Sequence, residues 1–284
     1  MDDLAVLAST PEMLQQALDI AARWAKRIRM RFNNGPTKSA IMVYGAGAPN
    51  DITWRLGGEE LPRVLSYKYL LVVLASNGGW NKMLTHLNVK ATNRTGELVR
   101  WARANKVTLD VLERLGRLHV QSSVLWGIGT ATLNNRLSAR LDMLQRKIGR
   151  VLLGHSKRSI MPTVCCELGW LKWSTAQKGA GLQLLGRLCH SENRFTGMLL
   201  ELQARPDTTW AQEFLGLARP LMHEGWKGSS NDWSSLVAAW RRHALNDDSE
   251  ESCSRNAVHT RGAPVVPSCR VAPGGRLRCK SVCA

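Results

Sequence analysis

The hydrophobic periodicity of this chain changes near Trp80, and this change limits the folds that the chain can adopt. Before Trp80, short apolar runs are separated by turn residues, as in strands; they read "LAVLA", "MRF", "SAIMVY" and "YKYLLVVL". After Trp80, apolar residues recur every three to four positions, as they do along one face of a helix. The sequence therefore predicts an α+β fold in which a small mixed unit precedes a mainly helical region.

The mixed region is predicted to contain one long helix among short strands. The helix is capped by Thr10, has Pro11 at its first position and ends near Ile28. The stretch "ITWRLGGEEL" is predicted to form a hairpin, because its two glycines suit a two-residue turn that needs positive φ. Further strands are predicted at Leu4–Ala8, Met30–Phe32, Ser39–Tyr44 and Tyr67–Leu74.

The region after Trp80 is predicted to be helical up to about Asn246, and the remainder to be disordered. The tail loses its apolar periodicity and mixes Pro, Gly and basic residues. The predicted domains are a mixed unit at 1–79, a basic helical region at 80–160, a second helical region at 161–246 and a disordered basic tail at 247–284. The predicted helices are Trp80–Ala104, Thr108–Leu125, Arg136–Leu153 and Ser174–His190, with weaker ones at Thr196–Gln203 and Ser230–Leu245.

The chain carries a formal net charge of +17, which indicates a polyanionic partner. Positive charge is concentrated between Asn81 and Arg158, where fifteen Lys and Arg accompany only four Asp and Glu. The predicted partner is RNA, an RNA–DNA hybrid or DNA, and the alternative is a soluble basic protein without such a partner. The sequence predicts no oligomeric state.

Composition argues against a membrane-spanning or secreted protein. No apolar stretch approaches the roughly 20 residues that span a bilayer, and no secretory leader precedes the first apolar run. The seven cysteines are odd in number and lack the spacing of a disulfide framework. In the tail only Cys279 and Cys283 form a close pair of the kind that zinc sites use. An intracellular location, nuclear or cytoplasmic, and a tail without zinc are therefore predicted.

Tryptophan is unusually frequent, with eleven residues against three phenylalanines. Six of the tryptophans are predicted to pack in the core or at the edges of elements, and base stacking is left open for one or two. These six are Trp54, Trp80, Trp101, Trp126, Trp170 and Trp173.

Two adjacent carboxylates, Asp2 and Asp3, stand directly before the first apolar run. In a regular strand they would point to opposite faces, but at a tight turn between strands one can face an ion with the other close by. Mg²⁺ prefers such oxygen ligands, and two Mg²⁺ ions can clamp the attacking and leaving oxygens of a phosphoryl transfer. On this pattern alone, a magnesium site and a solvated chain terminus are both open.

The order of several motifs resembles the second half of the reverse transcriptases of non-LTR (LINE-type) retrotransposons. In that family an aromatic-x-Asp-Asp turn ends a palm hairpin, and the opening "MDD" is similar to its last three residues. A loop and strand with a lysine come next, matched here by "NNGPTKSAIMVYG" with Lys38. The following hairpin of the type "YKYLG" is matched by "YKYL", with Leu71 in place of the glycine. The resemblance continues through "LQRKIGRVLLG" and "ELGWL" and covers about residues 1–188.

The resemblance implies a partial palm and connecting hairpin, followed by a helical thumb. It implies RNA-directed DNA polymerase as the parent activity, with Asp2 and Asp3 as catalytic ligands of two Mg²⁺ ions. Lys38 would be a proton donor or charge partner near the departing pyrophosphate, with a solvated loop lysine as the alternative. Lys68 and Tyr69 would lie against the primer, with strand packing as the alternative. The family's earlier palm aspartate and fingers region have no counterpart here, so the chain alone is expected to be inactive.

Basic residues of the helical region are predicted to follow a nucleic-acid backbone. Phosphate contacts give affinity without sequence information, so binding with little sequence preference is expected. A solvated helix face is the alternative for these residues. For the whole chain the alternative is a non-catalytic RNA- or DNA-binding helical module in which Asp2 and Asp3 are relics. The predicted contacts are Arg94, Arg100, Arg103, Arg114, Arg117, Arg146, Lys147 and Arg150.

Overall fold

The structure of the chain is a computed structural model that describes residues 4–33, 38–44, 52–155, 168–191, 209–222, 232–240, 242–243, 269–272 and 276–279. Within these ranges the fold is mixed α+β, as the sequence predicts: helices predominate, and the strands form two-stranded antiparallel sheets. The chain divides into two compact units, with the boundary between His86 and Leu87. No helix in the described ranges is long and apolar enough to cross a membrane.

Helix α1 (Pro11–Arg27) contributes one face to the core of the first unit. Its predicted cap is confirmed, because the Thr10 hydroxyl accepts a hydrogen bond of 3.3 Å from the Met13 amide. Leu18 is buried on the inner face of the helix. The other buried members of this core are Ile41, Trp54, Leu56 and Leu61.

The glycine turn of the first unit is also confirmed. Strands β1 (Trp54–Leu56) and β2 (Glu59–Leu61) pair antiparallel, with Trp54 opposite Leu61. The Gly57-Gly58 turn between them has positive φ at both residues, which glycine adopts without steric cost. This hairpin supplies the buried side chains that face α1.

A second hairpin occupies the stretch from Tyr67 to Leu74, so the single strand predicted there from the apolar pattern is wrong, whereas a hairpin at "YKYL" is what the resemblance implies. Strands β3 (Ser66–Tyr69) and β4 (Val72–Ala75) pair antiparallel. Leu70 and Leu71 form the turn with φ of 45° and 70°, a left-handed conformation that bulky residues rarely adopt. The turn lies within the apolar run "LLVVL", which contains no Gly, Asn, Asp or Pro to indicate it.

Three other predicted strands of the first unit are not formed. Leu4–Ala8 and Met30–Phe32 have no strand structure, and Ser39–Tyr44 retains only an isolated bridge between Ile41 and Arg63. A strand exists only where a neighbouring segment satisfies its backbone groups. Among the described residues no segment pairs with the first two runs.

The second unit is mainly helical. Helix α2 (Asn81–Ala104) crosses the boundary between the units. The elements that follow are α3 (Leu109–Leu115), a π-helical turn (Gly116–Gln121), α4 (Ser122–Leu125), a 3₁₀ turn (Ile128–Thr130), α5 (Asn135–Leu153), α6 (Trp173–Cys189), α7 (Thr209–Ala218), a second 3₁₀ turn (Arg219–Leu221) and α8 (232–240).

The four strong helix predictions of this region are confirmed to within one or two residues. The predicted helix Thr108–Leu125 is one helical run in which the π-helical turn separates α3 from α4. Helix α7 has only ten residues, too few for a clear period, and the sequence does not predict it. The weaker helix predicted at Thr196–Gln203 lies outside the described residues, whereas α8 agrees with the one predicted at Ser230–Leu245.

Helix α6 packs against α7 and α8 in the core of the second unit. Leu182 of α6 is fully buried there, with Phe214 of α7 and Trp233 of α8. Two glycines of α6 make this close packing possible. A Cβ at Gly181 would overlap the ring of Phe214, and a Cβ at Gly186 would lie 3.0 Å from Trp233.

A hairpin of β5 (Cys269–Ala272) and β6 (Arg276–Cys279) lies inside the tail predicted to be disordered. The rest of 247–284 is outside the described residues, so disorder of the tail and its lack of zinc stay predictions. The predicted domain limits, including the palm and thumb assignments, also stay predictions.

Candidate nucleic-acid interface

The predicted magnesium ligands, Asp2 and Asp3, lie outside the described residues. Within the ranges that are described, no group of three or more His, Cys, Asp and Glu side chains could hold a metal ion. The Mg²⁺ site therefore stays a prediction.

Three residues predicted to lie near the polymerase site, Lys38, Lys68 and Tyr69, line one cleft of the first unit. The cleft has a volume of about 190 Å³, and apolar side chains of α1 form part of its wall. The Tyr67 hydroxyl, which also lines it, donates a hydrogen bond of 2.7 Å to the Lys38 carbonyl. The fold thus brings together residues that are distant in the sequence, while their catalytic roles stay predictions.

Two cations attach helix α2 to the segment around the π-helical turn. The Lys90 ammonium donates to the Ser123 carbonyl at 3.3 Å, and the Arg94 guanidinium donates to the His119 carbonyl at 2.9 Å. A π-helical turn interrupts the regular hydrogen-bond pattern of a helix, so side chains can satisfy carbonyls there. Arg94 is exposed, and its contact with this turn gives it a structural role.

The Arg117 side chain forms an ion pair and hydrogen bonds within the second unit. Its Nε forms an ion pair with Glu113, one helical turn earlier, and its Nη2 donates to the Leu168 carbonyl at 2.9 Å. The same Glu113 carboxylate accepts a 3.0 Å hydrogen bond from the indole of buried Trp170. These contacts hold the segment before α6 against α3, so we leave Arg117 out of the interface.

Arg100 and Arg103 on α2 and Arg114 on α3 differ from Arg117 because they face solvent. All three are exposed, and their guanidinium groups form no hydrogen bond or ion pair with the residues that the structure describes. Their positive charge is therefore not neutralised within the described part of the chain. Such guanidinium groups can bind phosphate with two parallel hydrogen bonds.

Helix α5 contributes the other predicted cations. Arg146 is half-buried, and its Nε donates to the Asp142 carbonyl at 3.2 Å. Arg150 is also half-buried. Lys147 is exposed, and its ammonium donates to the Thr92 hydroxyl of α2 at 3.3 Å. An ammonium has three donors, so this single bond leaves Lys147 able to contact a phosphate.

The contact between Lys147 and Thr92 places cations of two helices on one side of α2. Thr92 and Arg103 are eleven residues apart, nearly three full helical turns, so they share a face about 16 Å apart. Arg100 precedes Arg103 by three residues and is its neighbour on the helix surface. We call Arg100, Arg103 and Lys147 the basic surface. Its length corresponds to about four to five phosphates of one strand of a duplex.

Asp142, the acidic residue of α5, does not neutralise the basic surface, because its carboxylate accepts hydrogen bonds from Ser174. One oxygen of the Asp142 carboxylate accepts from the Ser174 amide at 2.9 Å, and the other accepts from the Ser174 hydroxyl at 2.7 Å. Burial raises the pKa of Asp142, although the Ser174 hydrogen bonds and the charges of Lys172 and Arg146 act in the opposite direction. Asp142 therefore supplies hydrogen-bond acceptors to the start of α6.

The sequence prediction misses one feature of this region, which is the exposure of Trp101. Its side chain is 50% exposed between Arg100 and Arg103, whereas the sequence predicts packing in the core or at an element edge. The alternation of arginine and tryptophan in "RWAR" is the signal in the sequence that could have indicated it.

Comparison with known proteins identifies no relative of this chain. No protein-family model matches the chain, and neither the characterised proteins nor the solved structures contain a significant match to it.

Proposed function

We propose that this chain binds RNA, an RNA–DNA hybrid or DNA through phosphate contacts at the basic surface. The observation that supports this proposal is that nearby acidic side chains do not neutralise the positive charges of the basic surface. Arg100 and Arg103 have no partner among the described residues, and the only acidic residue of α5, Asp142, is directed to Ser174. A polyanionic nucleic acid is the partner that such cations suit, because they displace the counterions condensed on its phosphates.

Binding of this kind reads the backbone and not the bases. Phosphate contacts fix the position of a nucleic acid but carry no sequence information. We therefore expect similar affinities for unrelated sequences and a strong dependence on salt, because each neutralised phosphate releases counterions.

The chain is further proposed to derive from a reverse transcriptase of the non-LTR type. The ordered motifs of the sequence support this origin, as does the common cleft of Lys38, Lys68 and Tyr69. In the parent activity Asp2 and Asp3 would hold Mg²⁺. The second candidate is a non-catalytic RNA- or DNA-binding module, which the exposed cations of α2 and α5 favour independently of any polymerase site.

A salt titration tests the binding proposal. Replacing Arg100, Arg103 and Lys147 together by Gln should weaken binding to unrelated single strands and duplexes alike. It should also flatten the slope of log affinity against log salt by about two to three units, since each lost phosphate contact is worth about 0.7 to 0.9. All three residues are exposed, so the variant should remain folded, which circular dichroism would verify.

The matched control replaces three cations of the first unit. Arg23, Lys26 and Arg27 of α1 are exposed and carry the same charge as the basic surface. Their replacement by Gln should change the slope by less than one unit. Equal effects of the two variants would mean that only net charge matters, and failure of the parent chain to bind at low salt would overturn the proposed function.

A further inference from the structure

The first residue of β5 and the last residue of β6 are both cysteines, and they occupy facing positions in the ladder. The antiparallel register pairs Cys269 with Cys279. Residues directly opposite each other in such a ladder have Cα atoms about 4.5 to 5.5 Å apart. Two cysteines can be joined by a disulfide when their Cα atoms are about 4.4 to 6.8 Å apart. The backbone of the hairpin therefore satisfies the distance requirement of a disulfide.

The register also divides this hairpin into two chemically different faces. Successive residues of a strand alternate between the faces, and register partners share a face. One face holds both cysteines together with Val271 and Leu277. The residues assigned to the other face are Arg270, Ala272, Arg276 and Arg278. The cysteines thus belong to the apolar face, and the arginines to the opposite one.

The hairpin needs a stabilising contribution besides its backbone hydrogen bonds. Arg270 is the register partner of Arg278, and like charges in facing positions destabilise a ladder. A two-stranded hairpin alone is at best marginally stable in water, and within the described ranges no third strand joins this sheet. A covalent link between its two ends would offset this cost, because it restricts the unfolded chain.

We propose that Cys269 and Cys279 form a reversible cross-strand disulfide that fixes the hairpin. The oxidant is a small-molecule disulfide such as oxidised glutathione. One cysteine thiolate attacks this disulfide, forms a mixed disulfide and releases one glutathione; the second thiolate then attacks the mixed disulfide and releases the other. The two protein thiols lose two electrons and two protons in total, and two molecules of reduced glutathione carry them away.

The pair suits reversible oxidation better than metal binding. A structural zinc site needs four ligands, and the register brings together only two cysteines. In the intracellular location that the sequence predicts, the glutathione pool keeps such thiols reduced until the level of oxidant rises. The link is therefore a modification that responds to redox conditions, and it does not depend on nucleic-acid binding.

Peptide mapping of the full chain tests the pairing, because trypsin cleaves between the cysteines of the tail. Cys253 lies in the peptide 243–255, Cys269 in 262–270, Cys279 in 279–280 and Cys283 in 281–284. The protein is equilibrated with glutathione over a series of reduced-to-oxidised ratios, its free thiols are alkylated, and the digest is analysed by mass spectrometry. Among the tail peptides, 262–270 joined to 279–280 should form first, and excess reduced glutathione should reverse the link. Cys189, an exposed free thiol, should appear in no joined pair.

The matched control exchanges two neighbouring residues, Cys269→Arg with Arg270→Cys. The exchange keeps composition and charge and moves one thiol by a single position along the chain. Because successive strand residues lie on opposite faces, the moved thiol no longer shares a face with Cys279. The equilibrium constant for its link to Cys279 should fall by about tenfold or more, since a disulfide outside its narrow geometry is strained.

Three outcomes would overturn the inference. The first is an undiminished link to Cys279 in the exchanged variant, because proximity along the chain would then be sufficient. The second is a preferred link of Cys279 to Cys283 or Cys253, and the third is the absence of the Cys269–Cys279 link at the most oxidising ratio. None of these measurements uses nucleic acid, so the inference and the proposed function are tested independently.

Discussion

The absence of a side chain at Gly181 decides how closely α6 and α7 approach. The ring of Phe214 occupies the space where a Cβ would lie, and both residues are in the fully buried core. A close-packed interior does not accommodate an added methyl group without displacement of neighbours. Gly216 of α7 is the opposite case, since beyond its own helical backbone no atom lies within 4 Å of the place that a Cβ would occupy.

Gly181→Ala should therefore destabilise the protein by about 3 kcal/mol or more, through overlap with Phe214. Gly216→Ala, the control in the neighbouring helix, should stabilise it by about 0.5–1 kcal/mol because alanine loses less backbone entropy in a helix. Urea unfolding would measure both. Combining Gly181→Ala with Phe214→Leu should cost less than the sum of the single changes, and simple additivity would contradict a direct clash.

At the scale of elements, α5 organises the start of α6 through side chains. Gln145, only 1% exposed, donates to the Leu171 carbonyl at 2.8 Å and accepts from the Trp173 amide at 2.9 Å. Asp142 accepts from both the amide and the hydroxyl of Ser174. Free amides at a helix N-terminus need such acceptors, and here a different helix supplies them.

The burial of Asp142 predicts a pH dependence of stability. Because its pKa is raised in the folded protein, the folded state binds this proton more tightly than the unfolded state does. This contribution to stability is complete below the unfolded pKa of about 3.9 and is lost as the pH rises through the folded pKa. Asp142→Asn, which removes the buried charge and keeps one acceptor for Ser174, should therefore raise the free energy of unfolding at pH 7.

The gain from Asp142→Asn should shrink as the pH is lowered through the raised pKa of folded Asp142, because the carboxyl of the parent is then protonated and no longer buried as a charge. Chemical unfolding of the two proteins at several pH values would measure the difference. A variant that is less stable than the parent at pH 7 would show that the negative charge near the α6 terminus outweighs its burial.

At the scale of the whole molecule, both units have a buried core, but the positive charge is concentrated in one region. Each of the two units has a buried core of its own, around Leu18 in the first and Leu182 in the second. The surplus of positive charge is concentrated in the helices from α2 to α5. Binding and the proposed polymerase chemistry would thus depend on different parts of the chain.

We expect the purified chain to bind nucleic acid but to show no primer extension on an RNA template with Mg²⁺ and nucleotides. The reason is that the resembled family needs a further palm aspartate, and no later carboxylate of this sequence has a matching context. Incorporation that is abolished in the Asp2→Asn, Asp3→Asn variant would overturn this expectation and favour the polymerase over the binding module.

Much of the secondary structure follows from local signals in the sequence. The Thr10 cap, the Gly57-Gly58 turn and the four long helices depend on residues within a few positions of one another, and each is formed as predicted. The turn at Leu70 and Leu71 is not predictable in this way, because its left-handed φ is imposed by the pairing of β3 with β4.

The sequence by itself determined how much positive charge the helical region carries, but only the tertiary structure decided which cations are free to bind. Arg117 and Arg103 are equivalent by composition and spacing. Arg117 is neutralised by Glu113 and fixed to the Leu168 carbonyl, fifty-one residues away, whereas Arg103 remains exposed. The exposure of Trp101 was decided in the same way. The physical reason is that a side chain's partners are set by packing between distant segments, which periodicity along the chain does not encode.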